Sequence, residues 1–427
     1  MKKYSRVGIF VCMAASLLML SGCGKKEENV FQPRLDTEKD VTLSVAGFFG
    51  NFEALDQVTA DFNTYYPNAE FSYEQISMEG YDEYLQANPD VSILMTSEQV
   101  FRNFGDQLTD VYADLSKADI NLSDIDEKML KLEYHDGKLT SIPIGQNIYG
   151  IVVNESLLEK EGLQVPGTYD EFLNVLSVLK EKGYTPIQGP DSKVYAELTQ
   201  SMLFDLLLSD EALYEDLMAG RDSAAEKLAP VMDKLKTIID NGYTDLALNQ
   251  TYPADNYDEA ILKFFEGDVP FWVCNTEKVS GMKKRESKSE AFTASPFTYT
   301  FIYAPLGEKG AYAYREPWYG MAVNQNSAEY DYAVEFIRFL TTRDEINEMA
   351  DIKGVPSVAA SENDVEIYRN VMNPEKVEKE CVNEGKITAD LVTNWYTCVN
   401  GYATGKYADT DTALQDFVKS CGGQKAE

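Results

Sequence analysis

Short β-rich runs alternate with amphipathic helical segments after residue 40, and this alternation constrains the fold more than any other feature. The run VTLSV begins at Val41, and the segment after it places Val58 and Phe62 on one helical face. A second β-rich run begins at Ala69, and residues 90–95 have the composition of a buried strand. Strands that alternate with helices predict a parallel-rich sheet covered by helices. The predicted fold class is therefore α/β.

Two helix starts carry the spacing of a capping box, in which the side chains of a threonine and a glutamate satisfy free backbone N–H groups. Thr168 with Glu171 predicts one such start, and Thr342 with Glu345 predicts another.

Ligands bound to open α/β sheets lie beyond the carboxyl ends of the strands. The loops that follow the first and third β-rich runs are therefore predicted to form pocket walls. Phe48 and Phe49 lie in the first of these loops, and Ser97 lies in the second.

The N-terminus has the pattern of a lipoprotein signal peptide over residues 1–22. Basic residues precede the apolar stretch VGIFVCMAASLLML, which is too short to span a membrane as a stop-transfer helix, and Leu-Ser-Gly leads to Cys23. We expect Cys23 to become the mature N-terminus and to carry a diacylglyceryl group and acyl chains such as palmitate. An ordinary cleaved signal with an incidental cysteine is the alternative. Residues 23–40 are charged and aperiodic, which predicts a flexible tether.

Charge and composition exclude several function classes. The chain has 71 Asp and Glu against 38 Lys and Arg, a net charge of −33, so nucleic acid and anionic lipid are poor partners. His135 is the only histidine in the sequence, which argues against a metal site with several histidine ligands and against a Ser-His-Asp triad. We therefore predict no cofactor, no metal and no catalytic residues. A chain of 427 residues with 44% hydrophobic content predicts two lobes.

Four cysteines follow the signal region: Cys274, Cys381, Cys398 and Cys421. The outside of a cell is oxidising enough for them to pair, and three connectivities are open.

Five sequence segments, taken in order, resemble one known family. They are YHDGKLTSIP from Tyr134, TYDEF from Thr168, FFEGD from Phe264, YGMAVN from Tyr319 and NWY from Asn394. From about Val41 to the C-terminus the chain resembles the family 1 extracellular solute-binding proteins of ABC importers, a group that includes maltose-binding protein.

This resemblance implies a two-lobe periplasmic-binding-protein-like (type II) fold with a hinge between α/β lobes. It implies an extracytoplasmic, lipid-anchored monomer that captures a small solute, a mono- or oligosaccharide, and delivers it to an ABC transporter permease. The chain is expected to cross between lobes near residues 145–149, 298–303 and 341–344. The expected lobes are 41–145 with 300–341, and 146–299 with 342–427.

Sugar sites combine flat aromatic rings with polar groups that bind hydroxyls. Trp318 and Tyr319 lie in a loop between Pro317 and Gly320, where no helical stripe would bury them. Trp395 lies on a core-like stripe but also matches a stacking position of sugar-binding relatives, and the two interpretations stay open for it and for its neighbour Tyr396.

The remaining candidates are polar residues and one tyrosine. Gln146 and Asn147 flank the first expected crossing, and Tyr195 matches a position where the family often has an aromatic residue. Many relatives have a tryptophan where Glu277 stands, next to Asn275. This difference favours a more polar sugar or an amine-bearing ligand over maltose.

Three alternatives stay open. A receptor of the same fold could bind a polyamine, a peptide or another non-sugar solute. The many carboxylates could include a glycosidase acid and base pair, although no pair stands out. A cell-surface adhesin would lack the hinge.

Overall fold

The computed structural model describes residues 31–189, 193–252, 257–359, 365–371, 376–383 and 385–423. The predicted signal peptide, Cys23 and the predicted tether up to residue 30 lie outside the described residues. The end of the predicted tether is not a free linker, because Arg34 N donates to Glu335 Oε1 at 3.0 Å and the Tyr332 hydroxyl donates to the Asp36 carbonyl at 2.8 Å. Within the described ranges, no helix combines the length and the apolar composition that a membrane crossing requires.

The strands of the described residues are short and belong to two main sheets and one small hairpin. They are β1 Val41–Gly47, β2 Ala69–Gln75, β3 Ile93–Thr96, β4 Tyr134–His135, β5 Lys138–Leu139, β6 Ile142–Pro143, β7 Gln146–Asn154, β8 Ile187–Gln188, β9 Phe271–Asn275, β10 Tyr299–Ile302, β11 Ala311–Pro317, β12 Gly320–Val323 and β13 Val377–Val382.

The helices cover these sheets. They are α1 Glu53–Phe62, α2 Tyr81–Ala87, α3 Glu98–Leu108, α4 Glu127–Lys131, α5 Glu155–Lys160, α6 Tyr169–Glu181, α7 Lys193–Ser209, α8 Glu211–Met218, α9 Asp222–Asp240, α10 Leu246–Asn249, α11 Tyr257–Phe264, α12 Thr276–Val279, α13 Met282–Glu286, α14 Glu290–Ala294, α15 Tyr330–Leu340, α16 Arg343–Lys353, α17 Ala389–Ala403 and α18 Thr410–Cys421.

The sheet of the first lobe has the strand order β2-β1-β3-β12-β6. β1 is parallel to β2 and to β3, whereas β12 runs antiparallel between β3 and β6. α15 packs on β1 and β12, and α1 packs against both α15 and α16. The parallel strands have helices as neighbours, as the sequence pattern predicts.

The sheet of the second lobe has the order β13-β11-β7-β9-β8, and β10 pairs with β7 outside this path. β7 runs antiparallel to β9, β10 and β11. α7 packs on this sheet and also contacts α9 and α17. Most of its side chains are buried, including the polar Glu197 and Gln200.

Within the described ranges, three adjacent chain segments cross between the two sheets. They contain Gly145, Trp318 with Tyr319, and Pro356. The backbone N–H of Trp318 donates to the Gly145 carbonyl at 2.9 Å, and the N–H of Gln146 donates to the Pro356 carbonyl at 3.0 Å. A Cβ atom at position 145 would lie 2.7 Å from Val355 Cγ2, so this close approach requires glycine.

The second and third crossings lie elsewhere than the resemblance implied. Residues 299–302, expected at a crossing, form β10 inside the second sheet, and the chain crosses only after β11. Residues 341–344 were expected at the third crossing, but α16 packs on α1 of the first lobe, so the chain returns after Gly354. The expected boundary at residue 300 therefore moves to the crossing after β11, and the expected boundary at residue 342 moves to the crossing after Gly354. Strand pairing depends on partners more than 100 residues away, which local pattern does not contain.

The four cysteines expected to pair are free and buried in the structure: Cys274, Cys381, Cys398 and Cys421. Burial raises the pKa of the Cys421 thiol to about 11 and that of the Cys398 thiol to about 12. They therefore behave as small apolar core residues with protonated thiols.

Candidate functional site

Residues of both lobes line a cavity of about 1230 Å³, which we call the cleft. The first lobe contributes α3 and the segment after α4. The second lobe contributes β7, α7, α12 and the start of α17. The crossing segment Pro317 to Tyr319 lies between them. A ligand in the cleft would therefore contact both lobes and the hinge together.

Aromatic rings form the hinge side of the cleft. Trp318 and Tyr319 line it, with ring centroids 4.8 Å apart. Phe49 packs against Trp318 at 5.2 Å, and Phe48 packs against Tyr319 at 5.5 Å. Lys353 Nζ lies 3.7 Å from the Phe49 ring centroid, a cation–π contact. Trp318 and Tyr319 are thus held from behind while remaining only partly buried.

Hydrogen-bonding groups form the second-lobe wall. Asn147 Nδ2 donates to Glu316 Oε1 at 2.7 Å, and the Tyr314 hydroxyl donates to Glu316 Oε2 at 2.6 Å. The Thr276 hydroxyl donates to the Gln146 carbonyl at 3.1 Å and lies 3.3 Å from Asn147 Oδ1. Burial raises the pKa of Glu316, against these two bonds. The wall therefore offers carboxylate, amide and hydroxyl groups to the cleft.

Gln200 is a cleft residue that sequence reasoning missed. It lies on α7, is 1% exposed and lines the cleft. Within the part of the chain that the structure describes, its Oε1 accepts no hydrogen bond. A buried acceptor without a donor costs free energy, which a ligand hydroxyl or amine would recover. No specific signal in the sequence marks it, because Gln200 is one of several polar residues on α7, with Glu197, Thr199, Ser201 and Asp205 among the other buried ones.

A buried ion pair supports this wall from behind. Lys278 Nζ and Glu197 Oε1 are 2.6 Å apart, and both side chains are at most 6% exposed. Glu197 precedes Gln200 by one turn of α7, and Lys278 lies on α12 next to Glu277. The pair therefore joins two elements that carry cleft residues.

Glu133, a buried cleft residue, should make stability depend on pH. Burial raises its pKa to about 7, although a hydrogen bond from Ser141 opposes the shift. An unfolded glutamate titrates near about 4.3, so between these values the folded chain holds a proton that the unfolded chain has lost. The free energy of unfolding therefore falls as pH rises through this range. We expect Glu133→Gln to be more stable than the wild type by about 1–3 kcal/mol at pH 8 and nearly equal at pH 4.

Urea unfolding at both pH values measures this difference. Glu127→Gln, an exposed change on α4, is the matched control and should give no pH-dependent difference. If the difference in the free energy of unfolding between Glu133→Gln and the wild type were the same at both pH values, Glu133 would not hold a proton in the folded state.

Five of the twelve residues proposed from sequence line the cleft: Ser97, Asn147, Glu277, Trp318 and Tyr319. Ser97 also caps α3 by accepting the N–H of Val100. Phe48 and Phe49 support the aromatic rings from behind, as described above.

The structure does not bring the other five to the cleft wall. Gln146 is buried and accepts from Arg315 Nε at 2.7 Å, and Asn275 caps α12. Tyr195 is 2% exposed in the second-lobe core, and Tyr396 packs partly buried against that core. Trp395 is fully buried, and its Nε1 donates to Thr199 at 3.2 Å. Of the two interpretations left open for Trp395, the structure agrees with the core residue predicted from the helical stripe and not with a sugar-stacking residue.

Two α/β lobes, three adjacent crossings and a cleft lined by both lobes define the two-lobed solute-binding fold. The sequence model of the bacterial extracellular solute-binding protein family matches residues 57–375, and the chain belongs to this family. The predicted family and fold class are thereby confirmed. The family consists of extracytoplasmic binding proteins.

Individual relatives are distant in sequence. The multiple sugar-binding protein of Streptococcus mutans serotype c is 21% identical over 226 residues, 51% of this chain. The match spans 51% of that relative, so this chain covers about half the length of the curated protein it matches.

Solved structures match over most of the chain. The sugar-binding protein MalE of Xanthomonas citri superposes with a TM-score of 0.65 at 15% identity, covering 89% of this chain and 96% of that one. A Bacillus licheniformis sugar transporter protein in complex with stachyose gives a TM-score of 0.60 at 18% identity, covering 89% and 98%.

Proposed function

We propose that this protein captures an oligosaccharide in its cleft and delivers it to an ABC transporter permease. The observation that carries the proposal is the pairing of Trp318 and Tyr319 with the polar wall of Asn147, Gln200 and Glu316. Sugar rings have apolar C–H faces that pack on aromatic rings and hydroxyl edges that need fixed polar partners. This arrangement offers both.

The size of the cleft favours an oligosaccharide over a single sugar. Pockets for drug-sized ligands occupy about 300–1,000 Å³, and this cleft occupies about 1230 Å³. The names of the relatives agree with this choice, since one is called a multiple sugar-binding protein and another was solved with stachyose.

Delivery requires a signal that the cleft is occupied. A ligand held by both lobes stabilises the closed arrangement, and only this difference in affinity shifts the population. We propose that the permease recognises the closed form of a monomer held at the membrane by lipid on Cys23. Two acyl chains are enough for stable anchoring. Mass spectrometry of the detergent-extracted protein tests the lipid on Cys23.

Calorimetry and thermal shift against saccharides, spermidine and tripeptides test the ligand class. We expect neutral oligosaccharides to bind, and a ligand at 100 times its Kd to add about 2.7 kcal/mol to the free energy of unfolding. Solution scattering should show a smaller radius of gyration with the bound saccharide. Recovery of the saccharide unchanged separates a receptor from a glycosidase.

A same-fold receptor for a polyamine or a peptide is the second candidate, because carboxylates Glu98 and Glu277 face the cleft. Binding of spermidine together with no response to any saccharide would favour it and contradict the first proposal.

A further inference from the structure

We propose that the cleft selects oligosaccharides without carboxylate or phosphate groups, because its own wall is negatively charged and rich in hydrogen-bond acceptors. This inference rests on the proposed function. The cleft is lined by more carboxylates than basic side chains. Among the described residues, the acidic side chains of the wall are Glu98, Glu133, Glu277, Glu316 and Asp390, and the basic ones are Arg102 and Lys131. Burial raises the pKa of Glu133 to about 7, so the other four carboxylates carry the charge at neutral pH.

The carboxylates face the cleft from both lobes. In the first lobe, Glu98 lies close enough to Glu133 and Glu316 that its charge adds to the effect of burial in raising both pKa values. In the second lobe, Glu277 acts in the same way on Tyr319, whose pKa burial raises to about 12. A sugar stacked on the aromatic rings would therefore lie between negative groups.

His135 does not offset this charge. It lines the cleft and stacks on Phe101 with ring centroids 3.6 Å apart. Burial lowers its pKa, against the charge of Asp136, which favours the neutral imidazole. Arg102 on α3 is exposed to solvent, and its charge offsets part of this charge, since it opposes the effect of burial on the pKa values of Glu98 and Glu316.

Hydrogen bonding gives an independent reason. Gln200 Oε1 is a buried acceptor in the cleft wall with no donor among the described residues. Sugar hydroxyls and amino groups can donate to it, whereas a carboxylate or a phosphate can only accept. A carboxylate or phosphate group placed against Gln200 would leave its Oε1 unsatisfied and would also be repelled by Glu316. Neutral and amino sugars avoid both costs.

Native mass spectrometry with two saccharide pools tests the proposal. The neutral pool contains hydrolysates of galactan, mannan, xylan and starch, and the acidic pool contains hydrolysates of polygalacturonate, alginate and hyaluronan. With both pools present at equal concentration, we expect at least 10-fold more bound neutral than acidic species at low salt. Equal or preferential binding of acidic species overturns the inference but leaves the oligosaccharide proposal standing. Binding from neither pool overturns the proposed function itself.

Charge-neutral variants separate electrostatic selection from shape. The double variant Glu98→Gln with Glu277→Gln should reduce the ratio of bound neutral to bound acidic species by about 10-fold. In the wild type, 1 M salt should also reduce this ratio, because salt shortens the Debye length and so screens the carboxylates. Glu290→Gln is the matched control, because Glu290 lies in the first turn of α14, as Glu98 does in α3, and does not line the cleft. A ratio unchanged in the double variant and at high salt overturns the charge argument.

Discussion

Arg315→Met should lower the free energy of unfolding by about 2–4 kcal/mol, the largest effect we expect from a single substitution, because three hydrogen bonds of about 1 kcal/mol each end on its guanidinium. Arg315 lies on β11 and is only 6% exposed. Its guanidinium donates to Gln146, Asp126 and Glu380, and methionine would remove all three bonds, while Glu380 would keep its ion pair with Lys128. Gln146, which is 1% exposed, would lose the donor to its Oε1, and a buried acceptor without a donor costs free energy. Urea unfolding at neutral pH measures the loss.

An exposed ion pair supplies the control. Arg221 Nη1 lies 2.6 Å from Asp216 Oδ1, with 61% of the arginine side chain exposed. Arg221→Met should cost at most about 1 kcal/mol, since water and salt screen such pairs. Equal losses in the two variants would show that burial of Arg315 does not govern its contribution.

The same network should weaken in acid. Burial works to raise the pKa of Asp126 and of Glu380, but contacts with Arg315, and for Glu380 also with Lys128, bring both below the usual value. A carboxyl with a lowered folded pKa stabilises the protein above its unfolded pKa and loses that contribution as pH falls through the folded pKa. Stability should therefore decrease as pH falls below about 4, and less steeply in Arg315→Met.

Asp126 precedes α4 of the first lobe, whereas Arg315 and Glu380 belong to the second. The network therefore joins the lobes close to the crossing at Gln146. We expect Arg315→Met to increase the radius of gyration of the ligand-free protein in solution scattering, because the lobes would lose the ion pair between Arg315 and Asp126.

Trp318→Ala should weaken saccharide binding by about 10- to 100-fold while the protein remains folded. A bound sugar ring would cover the indole face, and burying a large aromatic surface is worth about 1.5–3 kcal/mol. Isothermal calorimetry with the best saccharide from the neutral pool measures the change. An unchanged Kd would remove Trp318 from the binding surface.

Trp395→Phe is the matched control for Trp318→Ala. It removes the bond from Trp395 Nε1 to Thr199 and some volume from the second-lobe core. We expect a loss of about 1–3 kcal/mol in stability and no change in Kd. A weakened Kd in this variant would return Trp395 to the list of ligand contacts.

Local features of the sequence determined the elements. The Thr168 capping box is present, with both reciprocal hydrogen bonds, because it needs only residues within three positions. The second box fails in part: α16 begins after Thr342, but the threonine side chain makes no cap bond. The loops after β1 and β3 do reach the site, with Ser97 on the cleft wall and Phe48 and Phe49 behind it.

The sequence by itself determined the α/β class, the family and the aromatic loop at Trp318, because alternation, motif order and turn residues are local properties. Only the tertiary structure decided where the chain crosses between lobes, which polar residues meet in the cleft and which tryptophan is core. Asn147 and Glu316 form one hydrogen bond across 169 residues of chain, and Gln200 reaches the same wall from another helix. Such contacts depend on strand pairing and helix packing between segments that are distant in the sequence, and local sequence patterns do not predict them.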